Sequence, residues 1–398
     1  MRKLVLTLIA VLLIVGTLFA NFAIAEEVEQ VDGVQNDEIY TFVEELCDRQ
    51  GSDVPSVRSF LTDKFNALLG EDSVVEQKFS NGKYVNLVAQ LTKQGATKQI
   101  IIGAHYDYAF VGAGAGDNAC GVAALYFTMK QLASDPSKLP CNVIFVAFDG
   151  EEDGLLGSEH FVNRMTKDEV NNTLVMFNFD AIATGDNLYL LCENKSTDLA
   201  KLILNFADGA QEKPYAKGIY SNVFDSYGYG YYEFIQGSDH TPFRLQGIPI
   251  AFFFSGTYSS TFWQYEESAD SLKQVMNTGR DTFANLKENS DFVNRIDTVS
   301  NAVVATVRSD DFMSVAENAR SQLVNLKFWY KIWWPIIAVA VIAVVLVVLA
   351  IFHYRKLQKK AILNAPEIKS QTVFEKPSAD DIFHFKSDDS DDIFTFKK

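Results

Sequence analysis

Two adjacent carboxylates, Glu151 and Glu152, stand where the apolar run Asn142 to Phe148 ends and a glycine-rich turn, Gly154 to Gly157, begins. Such a pair at the end of a buried run is costly unless a cation neutralises it. Few residues can help hold that cation. Of the five histidines, His353 and His384 lie near the C-terminus, which leaves His105, His160 and His240. His105 follows the apolar run Lys98 to Ala104, and Asp107 stands two residues on. Asp117 follows a loop with Gly112, Gly114 and Gly116, and Asp180 ends the apolar run Thr173 to Phe179. Histidine with several carboxylates suits zinc. Two zinc ions about 3.5–4 Å apart need a bridging carboxylate and further ligands on each side, and the chain has enough such groups. Asp107, two residues on from His105, can hold that histidine in one tautomer.

These residues need strands to bring them together. Apolar runs without polar alternation, such as Asn142 to Phe148, suit strands buried on both faces of a parallel sheet. Tyr84 to Leu91, Asn187 to Cys192 and Ile248 to Phe254 read as further strands. Helical spacing of apolar residues marks Asp37–Arg49, Ser56–Leu69, Ser196–Ala210, Ala269–Leu286 and Phe292–Val307, with another helix opening at Asp117 and Asn118. Alternation of this kind predicts an α/β fold, a three-layer α/β/α sandwich with a mixed, mostly parallel central sheet. The ends of parallel strands are where ligands sit in such sheets, and most of the candidate residues occupy those ends.

The chain has 398 residues and a net charge of -16, which excludes nucleic acid as the main partner. Arg2 and Lys3 precede the apolar run Leu4 to Ala20, with Ala23, Ile24 and Ala25 behind it, the layout of a secretory signal. Trp333 to Phe352 is uncharged and, at about 1.5 Å per residue, reaches roughly 30 Å, enough for one transmembrane helix. Trp329, Tyr330, Trp333 and Trp334 crowd its leading edge, and Arg355, Lys356, Lys359 and Lys360 follow it, which predicts a cytoplasmic C-terminus and an extracellular or lumenal large domain. The expected organisation is a signal peptide at 1–25, an exported domain at 26–310, a helical stalk at 311–332, a membrane helix at 333–352 and a cytoplasmic tail at 353–398. The tail repeats an acidic-aromatic motif, Asp380 to Lys386 and Asp391 to Lys397, which suits a docking peptide for a cytoplasmic partner. Cys47, Cys120, Cys141 and Cys192 form no dense disulfide framework, and no pairing follows from their spacing.

Taken in order, His105 and Asp107, Asp117 to Gly121, Glu151 to Ser158, Asn178 to Asp180 and Ser238 to Phe243 resemble the co-catalytic di-zinc aminopeptidases and glutamate carboxypeptidases, metallopeptidase family twenty-eight. The resemblance runs from about Tyr84 to Asp270. It implies a zinc-dependent exopeptidase with two zinc ions per chain and a peptide substrate, most simply an aminopeptidase. By position, it implies that Asp117 bridges the metals, that His105 and Asp180 complete one site and that Glu152 belongs to the other. Glu151 would be the general base. It would take a proton from the attacking water and return it to the leaving amine, with Asp107 beside it in the catalytic set.

One departure concerns the last ligand. Where relatives carry a histidine in a Tyr-His-Thr stretch, this chain has Tyr265, Glu266 and Glu267, so Glu266 stands in its place, with His240 as the other candidate. Cys120 stands where the family usually has serine, and Tyr227, Tyr229, Tyr231 and Tyr232 are equivalent candidates for stabilising an oxyanion. A carboxypeptidase, a glutaminyl cyclase using one zinc, and a non-catalytic receptor-like homologue are the alternative functions on the same fold.

Overall fold

The computed structural model describes residues 32–50, 54–109, 111–192, 197–207, 215–216, 237–258, 265–266, 268, 274–288 and 291–363. The leader at 1–25, the tyrosines between 220 and 232 and the tail repeats lie outside these residues. Contacts divide the chain into two units, residues 1–330 and 331–398.

In the first unit, two helices, α1 (Asp32–Gln50) and α2 (Val54–Leu69), precede a hairpin of β1 (Val75–Phe79) and β2 (Tyr84–Leu91). Then come β3 (Gln99–His105), α3 (Cys120–Ser134), β4 (Asn142–Phe148), α4 (Leu156–Arg164), α5 (Lys167–Asn172), β5 (Thr173–Phe179), β6 (Asn187–Cys192) and α6 (Thr197–Phe206). Strand β7 (Tyr215–Ala216), α7 (His240–Leu245), β8 (Ile250–Tyr258), β9 (Tyr265–Glu266), α8 (Phe283–Leu286), α9 (Phe292–Arg308) and α10 (Phe312–Leu363) complete the order. Among the described residues the sheet runs β1-β2-β4-β3-β5-β8-β6-β7, with β9 paired to β8. Strands β4, β3, β5 and β8 are mutually parallel, whereas β2 and β6 join them antiparallel.

Successive residues of a strand face opposite sides of a sheet. Ile100, Ile102 and Ala104 of β3 therefore enter a large apolar cluster with α1, α2, α3 and α9, whereas Ile101 enters a second cluster with Phe161 and Val162 of α4 and Phe243 of α7. A run with no polar residue is what such a strand requires, because neither face meets water. Burying each Phe, Ile or Val here stabilises the fold by roughly 1.5–3 kcal/mol before entropy is counted. The result is helices on both faces of a mixed, mostly parallel sheet, as the pattern predicts.

Three expectations change. The helix expected to open at Asp117 begins at Cys120. Asp117 (φ -122°, ψ 88°) and Asn118 (φ -140°, ψ 38°) have non-helical backbone, because the Asp281 carboxylate holds the Asp117 amide and the Asn118 side chain donates to the Phe179 carbonyl. The helix expected over Ala269–Leu286 is, among the described residues, a series of turns ending in the short α8; Asn277 has φ 54° and Gly279 follows two residues on, which breaks helical continuity. Elements β1 and α5 escape the periodicity because β1 buries only Phe79 and α5 buries none of its residues. A capping box between Thr166 and Glu169 starts α5 instead of an apolar face.

The start of α10 belongs to the first unit. Phe312 and Ala316 are fully buried, and Arg320 donates to the carbonyls of Gly247 and, at 2.8 Å, Val170. In the second unit, Ile336–Lys360 is long and apolar enough to cross a membrane. Its apolar side chains, Val344 and Leu346 among them, are exposed.

Candidate metal centre

Strand register brings the candidate residues to one edge. His105 pairs with Phe148, so the turn carrying Glu151 and Glu152 starts beside it. Gly103 pairs with Asn178, and two residues further along each strand His105 and Asp180 are level. The Nε2 atom of His105 lies 3.1 Å from Oδ1 of Asp117 and 3.3 Å from Oδ1 of Asp180. These three residues are buried, and their ligating atoms lie within 4.8 Å of one another.

Asp117 reaches this edge because its neighbour is sewn into the sheet. The side-chain amide of Asn118 donates to the carbonyl of Phe179 at 2.9 Å and of His105 at 3.4 Å. Its oxygen accepts from the amides of Gly121 and Ala181, both at 3.1 Å. One asparagine thus ties the ends of β3 and β5 to the start of α3. Only glycine fits at 121, since a Cβ there would come within 2.2 Å of that oxygen.

The ring of His105 has a carbonyl on one side and carboxylates on the other. Nδ1 faces the Asp107 carbonyl at 3.2 Å, while the Asp107 carboxylate is further off at 3.6 Å. With Nδ1–H given to that carbonyl, Nε2 is the atom presented to Asp117 and Asp180. It can meet them as a proton donor or as a ligand to a cation. Burial works against a charged ring, yet the carboxylates of Asp180 and Glu151 raise its pKa well above the usual value. A single proton on Nε2 serves one acceptor, Asp180, and the buried Oδ1 of Asp117 is left with no hydrogen bond. An orphaned buried carboxylate oxygen beside an imidazole nitrogen and a second carboxylate is a donor set that fits zinc.

The two glutamates are fixed by Asp107. Its Oδ1 accepts the amide of Glu151 and its Oδ2 the amide of Glu152, each at 3.1 Å. The Glu152 carboxylate accepts the Ala109 amide at 3.1 Å. Burial, and then the negative charge of Asp117, pushes the Glu152 carboxyl up to about 7. Burial likewise raises Glu151 well above the carboxylate range. Asp117 itself is pushed up to about 7 by burial and by Asp180. The structure therefore collects more negative charge than it neutralises.

Behind the turn lies a buried network that sequence reading missed. Asp149 accepts from the Val85 amide at 2.8 Å, the Tyr106 hydroxyl at 3.0 Å and Arg58 at 3.3 Å. Tyr106 sits between His105 and Asp107, so this network joins that strand end to the Glu151 turn. The signal was present as an aspartate two residues before the glutamates, but its arginine partner is 91 positions away.

His240 is buried, stacked on Phe252 at 4.2 Å between ring centroids, with Nδ1 unpartnered. Burial holds its pKa down to about 3, so it is neutral. Asp239, not singled out from the sequence, is fully buried with neither carboxylate oxygen hydrogen-bonded, and burial pushes its carboxyl up to about 7. The backbone of Glu266 pairs with Thr257, but its side chain lies outside the described residues. Cys120 is buried and donates to the Ala115 carbonyl at 3.2 Å.

The sequence model of a peptidase family matches residues 86–292, which include every residue of this centre. The chain belongs to Peptidase family M28. It is 31% identical over 181 residues to aminopeptidase YwaD of Bacillus subtilis, covering 44% of this chain and 36% of that one. It is 30% identical over 221 residues to a probable lipoprotein aminopeptidase LpqL of Mycobacterium tuberculosis, covering 53% and 41%. The chain thus spans less than half the length of these relatives. Its fold is similar to that of a Zn-dependent exopeptidase from Parabacteroides distasonis, with a TM-score of 0.51, 16% identity and coverage of 69% of this chain and 98% of that one.

Proposed function

We propose that this chain is a zinc-dependent exopeptidase, an aminopeptidase that removes N-terminal residues from peptides. The observation that carries the reading is the orphaned Oδ1 of Asp117 beside His105 Nε2 and Asp180 Oδ1. The aminopeptidase relatives support the choice of reaction. In this reading His105, Asp117, Asp180 and Glu152 hold zinc, two ions per chain, and Glu266 is the fifth ligand.

Zinc, when bound, polarises the scissile carbonyl and lowers the pKa of a neighbouring water. The chain's own residues do the rest. Glu151 takes the proton released as the water oxygen bonds to the carbonyl carbon. It gives that proton to the amine nitrogen as the C–N bond breaks. Asp107 fixes where Glu151 stands, through the amide it accepts.

We also infer that the helix at 333–352, most of which falls in the apolar span Ile336–Lys360, anchors the chain in a membrane, that the segment 1–25 directs export, and that the large domain is extracellular or lumenal. The tail repeats then face the cytoplasm, where they suit a docking partner.

The full chain in detergent, loaded with zinc, should release the chromophore from aminoacyl amides. Inert protein on aminoacyl amides, on peptides ending in glutamate and on peptides beginning with glutamine would overturn the assignment. Release of C-terminal glutamate alone would make it a carboxypeptidase, and cyclisation of N-terminal glutamine alone a cyclase.

A further inference from the structure

Asp281 lies far from the glutamate turn in sequence, yet its carboxylate reaches the backbone that carries Asp117. It accepts two consecutive backbone amides, Gly116 N–H on Oδ1 at 2.6 Å and Asp117 N–H on Oδ2 at 3.1 Å. Its carbonyl accepts a third, from Ala113 at 2.7 Å. One buried residue, 2% exposed, thus holds the glycine loop at three amides and has its own amide tied to Thr278 at 3.0 Å.

The loop is built to receive it. A Cβ at Gly112 would come within 2.6 Å of the Thr278 carbonyl and 3.0 Å of the Asp281 carbonyl. A Cβ at Gly116 would come within 1.8 Å of Thr184 Cγ2 and 3.3 Å of Asp281 Oδ1. The Asp117 loop is therefore wedged between Asp281 and the loop that follows Asp180. That second loop is itself braced: Arg295 donates to the carbonyls of Gly185 at 2.6 Å and Asp186 at 3.2 Å.

We propose that Asp281 is a positioning residue for the metal centre, its grip on the amides of Gly116 and Asp117 holding the Asp117 carboxylate against His105 and Asp180. The physical reason is that Asp117 has no helix to hold it, since its backbone lies outside the helical region and α3 starts only at Cys120. Asn118 fixes the far side of Asp117, and Asp281 fixes the near side. Removing a residue that orients a ligand typically costs about 10–100-fold in metal affinity. The inference rests on the zinc reading of the centre.

The test compares the full-length wild type with Asp281→Asn and Asp281→Ala. Zinc affinity is measured by competition with a chromophoric chelator, melting temperature with and without zinc, and the visible absorption of the cobalt-substituted protein. Asparagine is isosteric but offers one acceptor oxygen where two amides need one each, so it carries the test if the alanine variant does not fold. The expected result is a dissociation constant for zinc raised about 10–100-fold. The stabilisation that zinc confers should shrink, and the cobalt spectrum should change. A folded Asp281→Asn protein with wild-type zinc affinity and cobalt spectrum would overturn the proposal. So would a variant that melts lower without metal but keeps the full zinc-induced shift, because that is the behaviour of a merely structural residue. Wild-type protein that binds no zinc would overturn the zinc reading and this inference together, whereas the other two outcomes leave the zinc reading standing.

Discussion

Asp107 grips both members of the glutamate pair, accepting the Glu151 amide on one carboxylate oxygen and the Glu152 amide on the other, each at 3.1 Å. An asparagine there keeps the shape but sets an NH2 group against one of the two amides. A buried donor left without an acceptor costs about 1–3 kcal/mol. Asp107→Asn should therefore lower unfolding stability by about that amount in denaturant titration. Turnover should fall further than zinc affinity, since the turn that moves carries the base as well as a ligand.

The two glutamates should separate cleanly. Glu151→Gln removes the proton acceptor and leaves the cluster of His105, Asp117 and Asp180 intact. Turnover should drop by about 10²–10⁴-fold with zinc content unchanged. Glu152→Gln should instead reduce bound zinc, read by elemental analysis after dialysis. Full zinc retention in Glu152→Gln together with zinc loss in Glu151→Gln would reverse the two roles.

Chelated protein should lose stability as pH rises. Asp117, Glu152 and Asp239 are held protonated in the fold up to about 7, against about 4 in the unfolded chain. His105 is raised as well. The three carboxyls bind more protons folded than unfolded between about pH 4 and 7, and His105 does so above about pH 6.5, so the derivative of unfolding free energy with pH is negative across this range. Metal-free melting temperature should fall from pH 5 to pH 8. Zinc, which needs the deprotonated groups, should stabilise most at pH 8. A metal-free melting temperature that climbs over this interval would contradict the charge surplus seen at the centre.

Arg58 supports the turn from behind. Its guanidinium donates to Tyr106 at 3.2 Å and Asp149 at 3.3 Å, with Asp149 nearly fully buried. Burial raises the pKa of Asp149, and Arg58 works against that shift. Arg58→Met keeps much of the stem but removes the donors, at a cost of about 1.5–3 kcal/mol for bonds to a charged group. Tyr106→Phe, which removes the hydroxyl bridging Val85 and Asp149, should cost a similar amount. Since both act on one network, the double variant should lose less than the sum, measurable by a double-mutant cycle.

Much of this centre was legible in the chain because its residues sit at strand ends. Apolar runs ending at His105, Phe148 and Phe179 mark strands by composition alone, and parallel strands must present their ends together. Element β1 and helix α5 were not legible, since they have little or no apolar face to leave a period. Nor was the break between Asn277 and Gly279, which apolar spacing alone read as helix.

Residue types and local spacing were enough to determine the α/β sandwich and the edge where the His105, Asp117 and Asp180 side chains collect. Tertiary structure alone decided how those groups are held. The carboxylate of Asp107 turns to the Glu151 and Glu152 amides, while its carbonyl faces His105. Asn118 joins two strands, and Asp281 reaches back 164 residues to the Asp117 amide. The division has a physical cause. Hydrophobic period is a local property of the chain, whereas a buried amide takes whatever acceptor folding brings within 3 Å or so, however distant in sequence.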